Sequence, residues 1–189
     1  MEKGILFKDH MIRSIQSRTK TNTRREFLVD RNREIKQVIE VDKGQWLLKI
    51  NSRPDQIVTC KYGNPGDKLY VKEAIHFDGK TKHYRANFQD DPKSVKWVSP
   101  LFMKRTDARL WLQITDVKLE ELHSISEDDA IAEGIERVGP WLWKTYDNSE
   151  VATSSPQTSY LSLYASISKY SKEVMELPIY VFSIHFKLI

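Results

Sequence analysis

The sequence predicts an α+β fold: a small β-barrel with short helices packed at its edges and insertions between its strands. Three observations lead there. Short apolar or alternating segments recur from "GILFK" (4–8) to "IYVFSIHFKLI" (179–189). Helical patterns are few and short. The chain has 189 residues, of which 40% are hydrophobic, a size and content that suit one core.

The elements follow in order. "GILFK" reads as a strand. Asp9 is placed to cap a helix over "HMIRSIQSR", with Met11, Ile12 and Ile15 on one face. Residues 28–43 are charged and helix-permissive, with Val38, Ile39 and Val41 as anchors. "QWLLKI" (45–50) and "QIVTCKY" (56–62) are strands around the turn "NSRPD". In "GNPGDKLYVKE" (63–73), Pro65 and Gly66 suit a type II turn. Leu69 and Val71 then face one side and Tyr70 and Lys72 the other. "KHYRANF" (82–88) is a further strand, followed by a polar loop to Pro100.

"RLWLQITDVKLEEL" (109–122) carries the clearest strand signal. Its apolar phase slips by one residue at Thr115–Asp116, which predicts a β-bulge. Over 126–134 a short helix is expected, with Ser126 as cap, Asp129 at the capping-box position and Gly134 as its end. "PWLWKTY" (140–146) reads as a strand, 153–159 as a loop and 159–170 as a helix. In the last strand Phe182, Ile184, Phe186 and Leu188 form one apolar face.

Composition narrows the chemistry. Charged residues make up 30% of the chain, which fits a folded surface rather than wholesale disorder. No apolar run is long enough for a bilayer, so no membrane partner is expected. Cys60 is the one cysteine, which suits a reducing cytoplasm. The five histidines show no metal-ligand spacing, so no metal and no cofactor are expected. No glycine-rich phosphate loop and no G-x-S-x-G elbow occur. Nothing in the sequence specifies an oligomeric state.

Charge is uneven. Residues 1–36 hold ten Lys/Arg against five Asp/Glu, while 116–136 hold one Lys against eight Asp/Glu. Such faces either steer a polyanion or are solvated surfaces that attract each other weakly. The basic part contains "TKTNTRRE" (19–26), a stretch with no apolar residue. Its hydroxyl, amine and guanidinium donors suit an anionic or carbonyl-bearing ligand; the plain alternative is a solvated connector.

Three blocks together resemble the ASCH family of PUA-like β-barrels. They are "KTNTRR" (20–25) after a strand and a helix, "YGNPGDKLYVKE" (62–73), and "LWLQITDVKLEELHSISEDDAIAEGI" (110–135) with the closing strand. Their order and spacing are similar to the longer ASCH proteins of phages and prophages. The resemblance implies one PUA-like domain over 1–189, with insertions near 28–58 and 136–176. It implies recognition of RNA or a modified nucleoside, and in compact members hydrolysis of N4-acetylcytidine by Lys20, Thr23 and Glu133. A polar cleft would lie between 20–25 and the 126–134 helix. A non-catalytic RNA or modified-base reader using Lys20, Asn22, Arg24 and Arg25 is the alternative. Tyr84 and Arg85 resemble a family pair near the cleft, and also read as a surface cross-strand pair. The sequence departs from the family where a glycine-arginine pair is replaced by Arg18-Thr19, and where His185 replaces a common glutamate.

The residues set conditions on that chemistry. Thr23 needs a base to take its proton, and Lys20 serves only if burial lowers its pKa. Glu133 ends a helix whose dipole disfavours a carboxylate there. Lys20 and Thr23 point to opposite faces of a regular strand. A turn or bulge over 20–23 is therefore expected, with Asn22 left-handed. Trp141 and Trp143, two apart on one strand, either offer bases a stacking platform or seal a core edge; the second is the commoner use of such a pair.

Overall fold

The computed structural model of the chain describes residues 1–27, 34–51, 53–88, 94–147, 151–168 and 178–189. It is a mixed α+β fold, mostly strands in several sheets, with three short α-helices among the described residues. The first half runs β1 (Glu2–Leu6), α1 (Asp9–Gln16), β2 (Asn22–Glu26), β3 (Ile35–Asp42), β4 (Gln45–Ile50), β5 (Gln56–Thr59), β6 (Lys68–Lys72), β7 (Ile75–Asp78) and β8 (Thr81–Tyr84). The second half runs β9 (Trp111–Glu121), α2 (Glu127–Ala132), β10 (Arg137–Gly139), β11 (Leu142–Lys144), β12 (Ala152–Thr153), α3 (Pro156–Ile167) and β13 (Tyr180–Leu188). No helix among the described residues is long and apolar enough to cross a membrane.

The main sheet has the order β1-β6-β9-β13-β2, with β1 and β6 parallel and the other pairs antiparallel. β13 lies inside it, between β9 and β2. Phe182, Ile184 and Phe186 are buried on one face as the alternation predicts, and Leu188 packs half-buried at the end. Val181 and Ser183 are buried as well, because a central strand is covered on both faces. The bulge in β9 is present. Asp116 faces His185 and Ile114 faces Phe186, so Thr115 is the extra residue.

β3, β4 and β5 form a second sheet. It closes the core through Trp46, Leu48, Ile50 and Val58, and Trp46 meets the Phe182 ring at 5.4 Å. The reading of 28–43 as helix-permissive is corrected here. Residues 35–42 are a strand, and 28–33 lie outside the described residues. Three β-branched anchors in a half-exposed segment favour a pleated edge over a helix. "KHYRANF" is likewise only part strand, ending in a single 3₁₀ turn at Arg85–Asn87. α3 starts earlier than expected, since Ser155 accepts from the Thr158 N–H and Pro156 fills the first position. Trp141 is 81% exposed and lies outside β11, so it neither shares a strand with Trp143 nor seals the core; Trp143 alone packs there.

The left-handed residue is not Asn22. Arg18 is the one non-glycine residue with positive φ (61°) among the described residues. It ends α1: the Arg18 N–H donates to Ile15 O and the Thr19 N–H to Ser14 O, which together make a Schellman cap. This is the position where the family pattern carries glycine. The turn thus falls before Lys20, and the chain is extended from Lys20 onward. Arg18→Gly is expected to stabilise the fold by about 0.5–1 kcal/mol, since relief of the left-handed strain exceeds the added backbone entropy. Urea denaturation checks this; a lower midpoint would contradict it.

Candidate functional site

The site begins where the chain changes partners. Lys20 bridges Glu133 at the end of α2, and the Thr21 N–H donates to Ala132 O at 2.8 Å. From Asn22 onward the chain pairs with β13, Asn22 opposite His185 and Thr23 opposite Ile184. Lys20, Asn22 and Arg24 follow strand parity and meet α2. Thr23 and Arg25 take the other face.

α2 is positioned by its caps. Ser126 Oγ accepts from the Asp129 N–H at 3.1 Å, as expected. The Asp129 carboxylate does not complete a capping box; it accepts from Arg24 Nη2 at 3.0 Å and Asn22 Nδ2 at 3.2 Å. Glu133 is the C-cap, and Gly134 follows at φ +80°. At α1 the cap differs from expectation. Lys8 holds the N-cap position with no side-chain bond, and Asp9 accepts from Arg85 Nε at 2.7 Å.

The resulting cluster is charged and buried at its centre. Lys20 Nζ donates to Glu133 Oε2 at 2.6 Å and to Glu133 O at 2.8 Å. Their side chains are 1% and 4% exposed. Arg24 Nη1 reaches Glu133 Oε1 at 3.4 Å, and its Nη2 lies 2.7 Å from Glu120 Oε1. Both oxygens of Glu133 are therefore engaged by cations. Burial pushes the Lys20 amine below its usual range; the Glu133 carboxylate opposes this and the nearby Arg25 and Arg24 add to it. Burial also opposes the Arg24 charge, but Glu133 and Glu120 outweigh it and hold the guanidinium protonated. Tyr160 lies beneath Arg24, 5.8 Å from ring centroid to guanidinium, and burial pushes its hydroxyl well above the phenol range.

Of the expected triad, the structure joins Lys20 to Glu133. The Thr23 hydroxyl makes no hydrogen bond among the described residues. Lys20 Nζ lies 5.7 Å from the Phe7 ring centroid and the Arg25 guanidinium 4.9 Å from it. Asn22 is fully buried and its Oδ1 has no partner among the described residues, while Arg25 Nη2 donates to Leu6 O. The expected open cleft is instead a packed contact: α2 rests directly on 20–24. Tyr84 and Arg85 are engaged elsewhere. Tyr84 OH donates to Asp107 O at 2.9 Å beneath the Arg109 guanidinium, and Arg85 binds Asp9.

Sequence reasoning missed Glu120, Asp129 and Tyr160 as members of the cluster. The signal available was the acidic excess over 116–136, which faces the basic segment across a buried boundary. Among the described residues no three His, Cys, Asp or Glu side chains gather as metal ligands would. No family model matches the chain, and no curated protein or solved structure matches it.

Proposed function

We propose that the chain is an ASCH-type domain on a PUA-like barrel, which recognises a nucleobase and hydrolyses the N4-acyl amide of a cytidine. The buried Lys20–Glu133 pair carries the reading. Two residues 113 positions apart, singled out by separate motifs, meet at 2.6 Å. The central β13, the parallel β1/β6 pair and the β3–β5 sheet packed on Phe182 support a barrel-like arrangement.

The pair shares one proton. With that proton on Glu133, Lys20 is a neutral base and Glu133 an acid. Water adds to the acyl carbon while one of its protons passes to Lys20 Nζ. The C–N4 bond then breaks as N4 takes the proton from Glu133, releasing cytidine and carboxylic acid, and the proton now on Lys20 restores the pair. Thr23, on the other strand face, takes no part in the proton transfers. The absence of a bond to the Thr23 hydroxyl favours a second reading, a non-catalytic RNA or modified-base reader.

Incubation with N4-acetylcytidine separates them. Turnover is expected, and Lys20→Ala, checked for folding by circular dichroism, should lower it about 10²–10⁴-fold. The rate should fall as pH rises through the lowered Lys20 pKa, because the pair then loses its shared proton and Glu133 has none to give N4. Binding without turnover would leave the reader. RNA affinity falling steeply with salt would mark phosphate contacts.

A further inference from the structure

The hairpin of β7 and β8 forms a two-stranded sheet of its own, and its register sets His76 directly opposite His83. Nothing in their spacing along the chain pairs them; the antiparallel register does. The ring centres lie 6.3 Å apart, with the planes inclined by 32°. Both side chains are half-buried at the surface. Strand parity puts Asp78 and Thr81 on the same face, two residues nearer the turn.

One ring is already held as a metal ligand is held. His76 Nδ1 lies 3.0 Å from Lys96 O. A carbonyl only accepts, so Nδ1 carries the proton, and in the neutral ring the lone pair is on Nε2. Such a bond fixes the tautomer and raises the basicity of the other nitrogen, which is the usual support of a metal-binding histidine. Trp97 meets the same ring edge-on at 6.1 Å and limits its rotation. The His83 ring makes no hydrogen bond or ion pair among the described residues, so it is the ring free to turn.

Distance decides whether one ion reaches both. An ion bonded to an imidazole nitrogen lies roughly 3.2 Å from the ring centre, so two rings can share it when their centres are up to about 6.4 Å apart. The pair at 6.3 Å falls inside that limit. A turn of His83 that brings the centres to roughly 5 Å opens right-angled and tetrahedral arrangements.

We propose that His76 and His83 form a two-ligand site for a divalent transition-metal ion, Cu²⁺ ahead of Zn²⁺, and that the ion clamps β7 to β8. Imidazole suits both ions, and the general affinity order puts Cu²⁺ first. No third His, Cys, Asp or Glu gathers at the pair among the described residues. The remaining positions therefore belong to water or an outside donor, and Asp78 adds a negative field on the same face. The clamp has something to hold, because a two-stranded hairpin is only marginally stable by itself. The binding chemistry is independent of the Lys20–Glu133 cluster and of the function proposed above.

The test is calorimetric titration of the untagged full chain with Cu²⁺ and with Zn²⁺. Binding of one equivalent is expected, tighter for Cu²⁺. His76→Ala and His83→Ala should each weaken it by about 10–100-fold or more, since a ligand matters at least as much as its support. His123→Ala, outside the hairpin, should leave it unchanged. Circular dichroism checks that each variant folds. Zn²⁺ should also shift the ring nitrogen resonances of His76 and His83, and raise the melting temperature of the wild type but of neither hairpin variant. Absence of binding overturns the proposal, as does binding that survives either substitution. So does a loss of only about twofold in each variant, which two separate weak sites would give, or Zn²⁺ shifts confined to other histidines.

Discussion

Glu133→Gln is expected to cost about 3–5 kcal/mol of folding stability, the cost of leaving buried charges without their counter-ion. Both Glu133 oxygens hold cations, Lys20 at 2.6 Å and Arg24 at 3.4 Å. The amide would keep one acceptor and lose the negative charge, while the Lys20 ammonium stays almost fully enclosed. A domain of this size has total stability of about 5–15 kcal/mol, so the loss removes a large share. Lys20→Met should cost less. Glu133 then keeps Arg24, and the methionine stem fills the volume the lysine stem left. The double variant Lys20→Met/Glu133→Gln should recover part of the Glu133→Gln loss. Urea denaturation of the four proteins forms a cycle that measures the coupling. Additive losses would show that the pair contributes no coupling.

Gly134→Ala is the second large effect, expected at about 2–5 kcal/mol. Gly134 sits at φ +80°, where a side chain costs about 1–2 kcal/mol. The space is also taken. An added Cβ would stand 2.9 Å from Lys20 Cβ and 3.0 Å from Ser14 Cβ, and such overpacking costs about 1–3 kcal/mol. Neither neighbour is a flexible tip. Ser14 lies in α1, and the Lys20 backbone bridges Glu133. The methyl group must push α2 away from Lys20, so turnover or ligand binding should fall together with the melting temperature. Unchanged stability would mean that α2 shifts freely on the sheet. Because Arg18→Gly and Gly134→Ala act on the caps of α1 and α2 in opposite directions, they also control for each other.

The legible parts of the fold were those written locally. The phase slip at Thr115 marked a bulge, because side-chain alternation has period two and one extra residue shows at once. Ser126 and Gly134 marked both ends of α2, because capping chemistry is contained within the helix ends. Less legible was β3, whose charged exposed positions hide four β-branched ones. The start of α3 was hidden in a serine- and threonine-rich run that reads as loop, although Ser155-Pro156 is a helix-start signal.

The site divides the same way. Lys20 and Glu133 were identified only through a family resemblance. Nothing local to either residue says that they meet. Asp129 was read as a cap for its own helix, and its carboxylate went to Arg24, 105 residues away. Arg24 itself read as a ligand-binding donor, yet its side chain is completely buried. A guanidinium reaches that state only when several carboxylates surround it, and here Glu120, Asp129 and Glu133 all come from one acidic stretch about a hundred residues from Arg24, so the excess shows in the sequence but its partner does not.

The place of β13 in the main sheet has a consequence for synthesis. β2 and β9 are both made well before residues 180–188, and each has its β13 edge unpaired until that strand leaves the ribosome. A nascent chain therefore carries two open strand edges from the completion of β9 until β13 is made, and late closure of so distant a pairing is slow. Chaperone demand and sensitivity to premature stop codons should both concentrate in that interval.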